Sequence, residues 1–402
     1  MSRARSALIA LAATLTIQIY ASFAATATAV LAPEMARAFA VETRWVGVFV
    51  GIVYVGGMFA SLASGGFIER YGPIRVSQAC VLLCAIGVAL IATTPEHAPV
   101  LLGIAALVIG IGYGPMTPAS SHLLQRTAPP ARMALTFSIK QTGVPAGAAL
   151  CGGLLPALSV ALGWRAGFAI VAVAGAIVIA SAQPVRASLD AERRVRSGRA
   201  PSLASVFAPL AMLRESRALF DLSLVSLAYS ATQVCLMSFI VVHLTETLHW
   251  TLVAAGFALT TATVGGVAGR IGWGYVADHL LAPRRVLSLI GLIAAACGIG
   301  LALADATWPA SVIVALALVF GATAIGWNGV QLAEVARLAP PGAAGKVTGA
   351  TGFVTFAGVV IGPPSFALLS SLTGSYRSGF AAFAAVSTVA ALGLQVARSR
   401  SS

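Results

Sequence analysis

Long apolar runs, separated by short polar breaks, return twelve times along this chain, at about residues 7–32, 44–68, 76–94, 99–124, 133–159, 166–183, 218–242, 252–277, 286–304, 310–336, 347–373 and 378–397. Each is long enough to cross a hydrocarbon core ~30 Å thick, which takes roughly 20 helical residues. Lipid offers no partner for backbone N–H and C=O groups, so each run is predicted to be a helix. Most breaks are short, which sets neighbouring helices antiparallel. The pattern predicts an all-α integral membrane protein with twelve transmembrane helices.

One break is different. Residues 184–217 are polar, Arg-rich and interrupted by Pro201 and Pro209. They are expected to form a cytoplasmic linker between an N-terminal six-helix bundle, 1–183, and a C-terminal one, 218–402. A plain linker is the expected form. The alternative is an amphipathic piece on the bilayer surface, built on Val206, Phe207, Leu210 and Leu213. The two halves repeat. GGFIERYG (65–72) after span 2 matches GYVADHLL (274–281) after span 8, an offset of 209. QRTAPPAR (125–132) and ARLAPPGA (336–343) follow spans 4 and 10 at an offset of 211, and WRAGFA (164–169) and YRSGFA (376–381) open spans 6 and 12 at 212. Three matches in order, at equivalent topological places, indicate two homologous six-helix units.

Composition agrees with a membrane solvent: 58% of residues are hydrophobic and 9% charged, against about 25% charged in soluble domains. The formal charge of +13 would suit a nucleic acid, but its placement argues otherwise. With twelve spans and both termini cytoplasmic, every Lys and Arg falls on the cytoplasmic side except Arg37, Arg44, Arg165 and Arg377 outside and Lys140 and Arg270 within spans. That is the positive-inside bias, so no nucleic-acid partner is expected. The apolar run at 7–31 is too long for the core of a signal peptide and reads as an uncleaved first span. The expected place is the plasma membrane, multi-pass, in a bacterium the inner membrane. The five cysteines all lie in apolar runs and read as small hydrophobes, with no metal or disulfide set.

The loop after span 2 carries Gly65, Glu69, Arg70, Gly72 and Arg75, and the later copy keeps Gly274, Asp278, Arg284 and Arg285. These residues resemble the loop 2–3 signature of the major facilitator superfamily, and the resemblance covers essentially the whole chain. Glu69 stands where that family usually has Asp, Pro73-Ile74 interrupts the basic run, and the second copy lacks the turn glycine. The resemblance implies two six-helix bundles working by alternating access. It also implies that Glu69 meets the start of span 11 near Thr348, and Asp278 the start of span 5 near Thr136. An acid there faces the positive end of a helix dipole, and such contacts would latch the cytoplasmic side. The expected gating set is Glu69, Arg70, Gly72, Arg75, Asp278, Arg284 and Arg285, with Glu334 and Arg337 joining from the end of span 10. Against this stands a plainer reading, in which the charges merely flank membrane segments.

Two charges sit inside spans. Arg270 precedes Asp278 by eight residues and Lys140 follows Arg132 by eight, which at 1.5 Å per residue puts both about 12 Å from the loop charges. An ionisable group near mid-membrane costs about 2.5–3.5 kcal/mol on insertion scales. No Asp or Glu lies well inside any span, since Asp221, Asp305 and Glu334 are near ends. An anionic cargo would supply the missing countercharge. Snorkelling of the long stems to the headgroups is the alternative. In the resembling fold spans 5 and 8 pack where the halves meet, and helices 1, 4, 7 and 10 line the cavity. That favours binding roles for Gln18, Tyr113, Tyr229, Gln233, Trp327, Asn328 and Gln331, with interhelical hydrogen bonding as the competing role. The segments FSIKQTGVP and GRIGWG resemble the organic- and inorganic-anion branches of the superfamily. GIGYG (110–114) lacks a βαβ context and reads as helix packing, not a nucleotide site.

The expected function is a secondary or facilitative transporter of a small organic anion, a carboxylate, acting as a monomer in the lipid bilayer. A coupling proton is left open; His122, at the end of span 4, reads as structural. No cofactor, metal or enzymatic chemistry is expected, and a membrane sensor would need a feature the sequence lacks. The transport alternative is a proton-coupled exporter of drugs or neutral metabolites.

Overall fold

The computed structural model describes residues 3–41, 45–191 and 203–399. Arg44, the chain ends and residues 192–202 of the expected linker lie outside the described residues. The described chain is helical, with no strand: α1 Arg3–Val30, α2 Ala32–Ala38, α3 Trp45–Tyr71, α4 Pro73–Thr93, α5 Val100–Tyr113, α6 Met116–Thr127, α7 Met133–Gln141, α8 Gly143–Leu162, α9 Trp164–Leu189, α10 Leu203–Glu215, α11 Arg217–Glu246, α12 Leu252–His279, α13 Pro283–Leu303, α14 Ala310–Ala324, α15 Asn328–Leu338, α16 Ala344–Thr373 and α17 Tyr376–Ser399. Among the described residues, twelve stretches are long and apolar enough to span a bilayer. The plain linker is replaced in part by helix α10, which runs through Pro209 and exposes Phe207 while burying Leu213.

Three of the spans are broken, and the reasons are local. Between α5 and α6, Pro115 and Pro118 have no N–H to return to the carbonyls of Ile111 and Gly114, and the chain turns at 114–115. Pro145 does the same to the Gln141 carbonyl at the α7–α8 step. Between α14 and α15 there is no proline. The helix stops at Ala324, Gly326 donates to Thr323 at 3.2 Å, and the turn at 325–327 leaves carbonyls without helical donors. Gly114 and Ile325, where the fourth and tenth spans break, are 211 residues apart, the same offset as the flanking repeat.

The contacts fall into two compact units: residues 1–129, 140–212 and 339–353 in the first, and 130–139, 213–338 and 354–402 in the second. Within each, equivalent residues make equivalent contacts. A Cβ on Gly110 would strike the Val53 carbonyl, and one on Gly321 the Ala262 carbonyl, so α3–α5 and α12–α14 approach through the same bare backbone. Arg165 donates to Ala92 O and Thr94 O at the end of α4, both at 2.9 Å. Arg377 donates to Ala304 O at the end of α13, also at 2.9 Å. A cation on the negative end of a helix dipole stabilises it in both places. The repeat read from short sequence matches is thus a repeat of packing.

The second unit has a continuous apolar core in which Phe239 stacks on Phe366 with centroids 4.3 Å apart. Ile240, Leu244, Leu301 and Ile313 are fully enclosed around it. All five cysteines are buried and free.

Candidate functional site

In the second unit the helix break brings several of the expected site residues together. The Ala322 and Ile325 carbonyls lack their usual i+4 donors, and side chains of α12 replace them. Trp273 Nε1 donates to Ala322 O at 2.9 Å and Arg270 Nε to Ile325 O at 3.1 Å. A terminal guanidinium nitrogen of Arg270 also donates to Asn328 Oδ1 at 3.1 Å. Arg270 is 2% exposed. Close to it, Trp327 Nε1 donates to Gln233 Oε1 at 3.1 Å, and the Tyr229 ring meets Trp327 edge-on at 5.8 Å. The Tyr229 hydroxyl is committed to Leu287 O at 2.9 Å, which makes it a packing contact between α11 and α13. Gln331 is buried with its amide nitrogen unpartnered. A buried donor in that condition costs about 1–3 kcal/mol.

The first unit holds the other cation. Lys140, at 1% exposure, donates to Gln18 Oε1 at 2.7 Å, Gln141 Oε1 at 3.0 Å and Thr117 Oγ1 at 3.4 Å. Tyr113 ends α5 and lies edge-on to Tyr54 at 6.5 Å. Snorkelling is overturned for both cations, because a stem reaching for headgroups would be exposed along its length. The side chains expected at a binding site instead pair with one another: Lys140 with Gln18, Arg270 with Asn328, Trp327 with Gln233. Ile325 O and Asn328 Oδ1 for Arg270, and Gln18 Oε1, Gln141 Oε1 and Thr117 Oγ1 for Lys140, are neutral acceptors that fix the direction of each cation.

The acids expected at the gate all have partners near helix ends. Asp278 accepts from Ala134 N and Leu135 N at 2.9 and 2.7 Å, capping α7 beside Thr136. Glu69 pairs with Lys346 Nζ at 2.8 Å in the first turn of α16, two residues before Thr348. Glu334 is 2% exposed and holds Arg337 at 2.6 Å and Arg284 at 3.6 Å. Gly72 turns the chain with φ 93°, and a Cβ there would collide with the Asp190 carboxylate. Asp190 in turn accepts from Ile74 N at 2.8 Å and from Arg75 N at 3.1 Å. Arg70 lies over the Tyr71 ring at 5.3 Å, and Arg285 is exposed at the third position of α13.

Asp190 and Lys346 were not singled out from sequence. Asp190 sits in a polar stretch that gave no reason to prefer it over its neighbours. Lys346 had a signal: the chain has only two lysines, and the other is Lys140. An apolar cavity of about 400 Å3 in the first unit, walled by Met35, Phe49, Ile52 and Leu102, is lined by neither cation.

The sequence profile of the Major Facilitator Superfamily matches residues 14–363. An uncharacterized MFS-type transporter of Mycobacterium tuberculosis is 25% identical over 337 residues, covering 81% of this chain and 73% of that protein. Monocarboxylate transporter 13 of Rattus norvegicus is 24% identical over 325 residues, covering 80% of this chain and 72% of its own. Among solved structures, the fucose:proton symporter FucP of E. coli superposes with a TM-score of 0.75 at 16% identity, over 97% of this chain and 99% of FucP.

Proposed function

This chain belongs to the Major Facilitator Superfamily, and from that premise we propose that it carries a small organic anion across the bilayer by alternating access, with a carboxylate as the recognised group. The observation that carries the reading is the guanidinium of Arg270, buried at a helix break and oriented by the Ile325 carbonyl and Asn328. Neutral acceptors aim this cation; a carboxylate adds charge-assisted bonds, about twice the strength of neutral ones. Lys140, aimed by Gln18 and Gln141, is a second cationic contact that offers a point charge rather than a fork. The name of the rat relative, a monocarboxylate transporter, supports a carboxylate over a neutral cargo.

Broken transmembrane helices supply dipole ends and bare carbonyls at midplane sites in secondary transporters. Here the break at 325–327 positions Arg270, Trp327 and Asn328 together. Gln331, with its unpartnered amide, is an additional ligand donor. Cargo shifts the conformational equilibrium by its differential affinity for the two states. The contacts of Asp278 with α7 and of Glu69 with Lys346 belong to one of those states and open in the other. The charge bias orients the chain with both termini in the cytoplasm.

Uptake of labelled short-chain carboxylates into proteoliposomes tests this reading, with and without an imposed pH gradient to detect a coupled proton. Arg270→Ala is expected to lower kcat/KM at least about tenfold, the loss of one charge-assisted bond. Undiminished carboxylate flux in that variant overturns the proposal, as does flux of neutral compounds in place of anions.

A further inference from the structure

A second basic feature in the second unit has no part in the cargo site. The start of α13 and the end of α15 enclose a cavity of about 670 Å3 that also reaches α17. Its charged wall is Arg284, Arg285, Arg337 and Glu334, with Gln395 as a neutral polar neighbour. The one acid is buried and grips Arg284 and Arg337 from within, so it fixes their positions while the wall keeps a surplus of positive charge. No side chain caps the N-terminus of α13, which adds the positive end of a 21-residue helix to the same place.

Apart from Gln395 the rest of the wall is apolar, with Leu289, Leu292 and Leu394. From there the stripe continues along one face of α13: Leu289, Ala296, Ile299 and Leu303 are exposed and Leu292 half-buried. Fourteen residues of helix cover about 21 Å, more than one leaflet of a ~30 Å core. A free anion needs only the arginines. A basic cavity opening onto an exposed apolar stripe, at the end of a membrane helix, suits a ligand with a phosphate and a long acyl chain.

We propose that this cavity binds an anionic phospholipid, its phosphate among Arg284, Arg285 and Arg337 and its acyl chain along Leu289, Leu292, Ala296 and Ile299 of α13. Basic pockets at the ends of membrane helices recognise such headgroups through charge. The bound lipid would brace the Glu334 network, so it stabilises the arrangement of α13 and α15 seen here. The proposal does not depend on the identity of the cargo.

The test uses the full chain in a neutral detergent, titrated with phosphatidylglycerol, phosphatidylcholine or glycerol 3-phosphate, and reads thermal shift and apparent Kd. Phosphatidylglycerol is expected to raise Tm and bind at least fivefold tighter than phosphatidylcholine, while glycerol 3-phosphate alone gives no shift. Arg285→Gln, at an exposed position, is expected to weaken phosphatidylglycerol binding about fivefold, the effect of one arginine near an anionic surface, and to leave phosphatidylcholine binding unchanged. Equal binding of the two lipids overturns the proposal, as does full affinity in Arg285→Gln. A shift reproduced by glycerol 3-phosphate also overturns it, by marking a site for free anions. The lipid comparison needs no variant, so a failure of Arg285→Gln to fold leaves the test intact.

Discussion

Arg270 is tolerated inside α12 because the neighbouring helix is interrupted where the guanidinium needs acceptors. Two variants separate its structural and cargo roles. Arg270→Gln keeps a donor but removes the charge, and strands the Ile325 carbonyl in part; it is expected to cost about 1–3 kcal/mol of stability, read as a lower Tm, together with the loss of anion flux. Arg270→Lys keeps the charge but cannot serve the Ile325 carbonyl and Asn328 with one planar group. Its expected signature is measurable flux with a raised KM. Equal, full activity in both variants would remove Arg270 from the site. For Lys140 the sharper measurement is a double-mutant cycle with Gln18→Leu and Lys140→Met. A hydrogen bond to a charged group contributes about 1.5–3 kcal/mol, so the pair should couple by an amount well outside additivity. The presence of these cations was legible in the sequence, as charges eight residues from any loop. Gln18 and Asn328 were legible as polar residues inside spans, but their pairing with the cations was not. Ile325 O, the other acceptor of Arg270, is a backbone atom freed by a break that no proline marks, and side-chain patterns carry no record of it.

The helices themselves were legible because each is a long apolar run in a solvent that permits little else. The interruptions were less so. Pro115, Pro118 and Pro145 are visible in the sequence, but prolines also sit unbroken inside α8, α9, α10 and α16, so proline alone does not mark a break. At the ends of helices the acids do the work that hydrophobic pattern cannot show. Asp278 accepts from two successive N–H groups of α7, a cap in which both carboxylate oxygens are used. Asp278→Asn leaves one acceptor and points an amide at the second N–H. The expected cost is about 1 kcal/mol, read as a lower Tm, with faster exchange of the Ala134 and Leu135 amides. Protection unchanged from the native chain would show that α7 is held by packing alone. Glu69 differs from Asp278 in that it meets a side chain, Lys346, rather than a helix terminus. Both groups are partly exposed, so Glu69→Gln should have the smaller effect on stability, within about 1 kcal/mol.

At the scale of the molecule, sequence and structure agree on a duplication, and the agreement is specific. Gly110 meets Val53 as Gly321 meets Ala262, and Arg165 caps α4 as Arg377 caps α13, at the offsets already present in the sequence. Duplicated units of six spans each keep the same sidedness, because an even number of crossings returns the chain to its starting face. The Arg-rich loops that follow α3 and α12 then lie on one side of the bilayer, and the loops entered by Arg165 and Arg377 on the other. The proposed orientation, argued from charge bias, puts the first side in the cytoplasm. This assignment is open to a direct labelling experiment, since the five native cysteines are all buried and contribute little background to an impermeant thiol reagent. Ala306→Cys, exposed between α13 and α14, should label in intact cells. Ala282→Cys, exposed at the entry to α13, should label only after the membrane is opened. The reverse pattern would invert the whole chain, and with it the side on which Glu334 and its arginines meet the lipid. The fold would stand unchanged, because sidedness is set by loop charge during insertion and not by the packing of the helices.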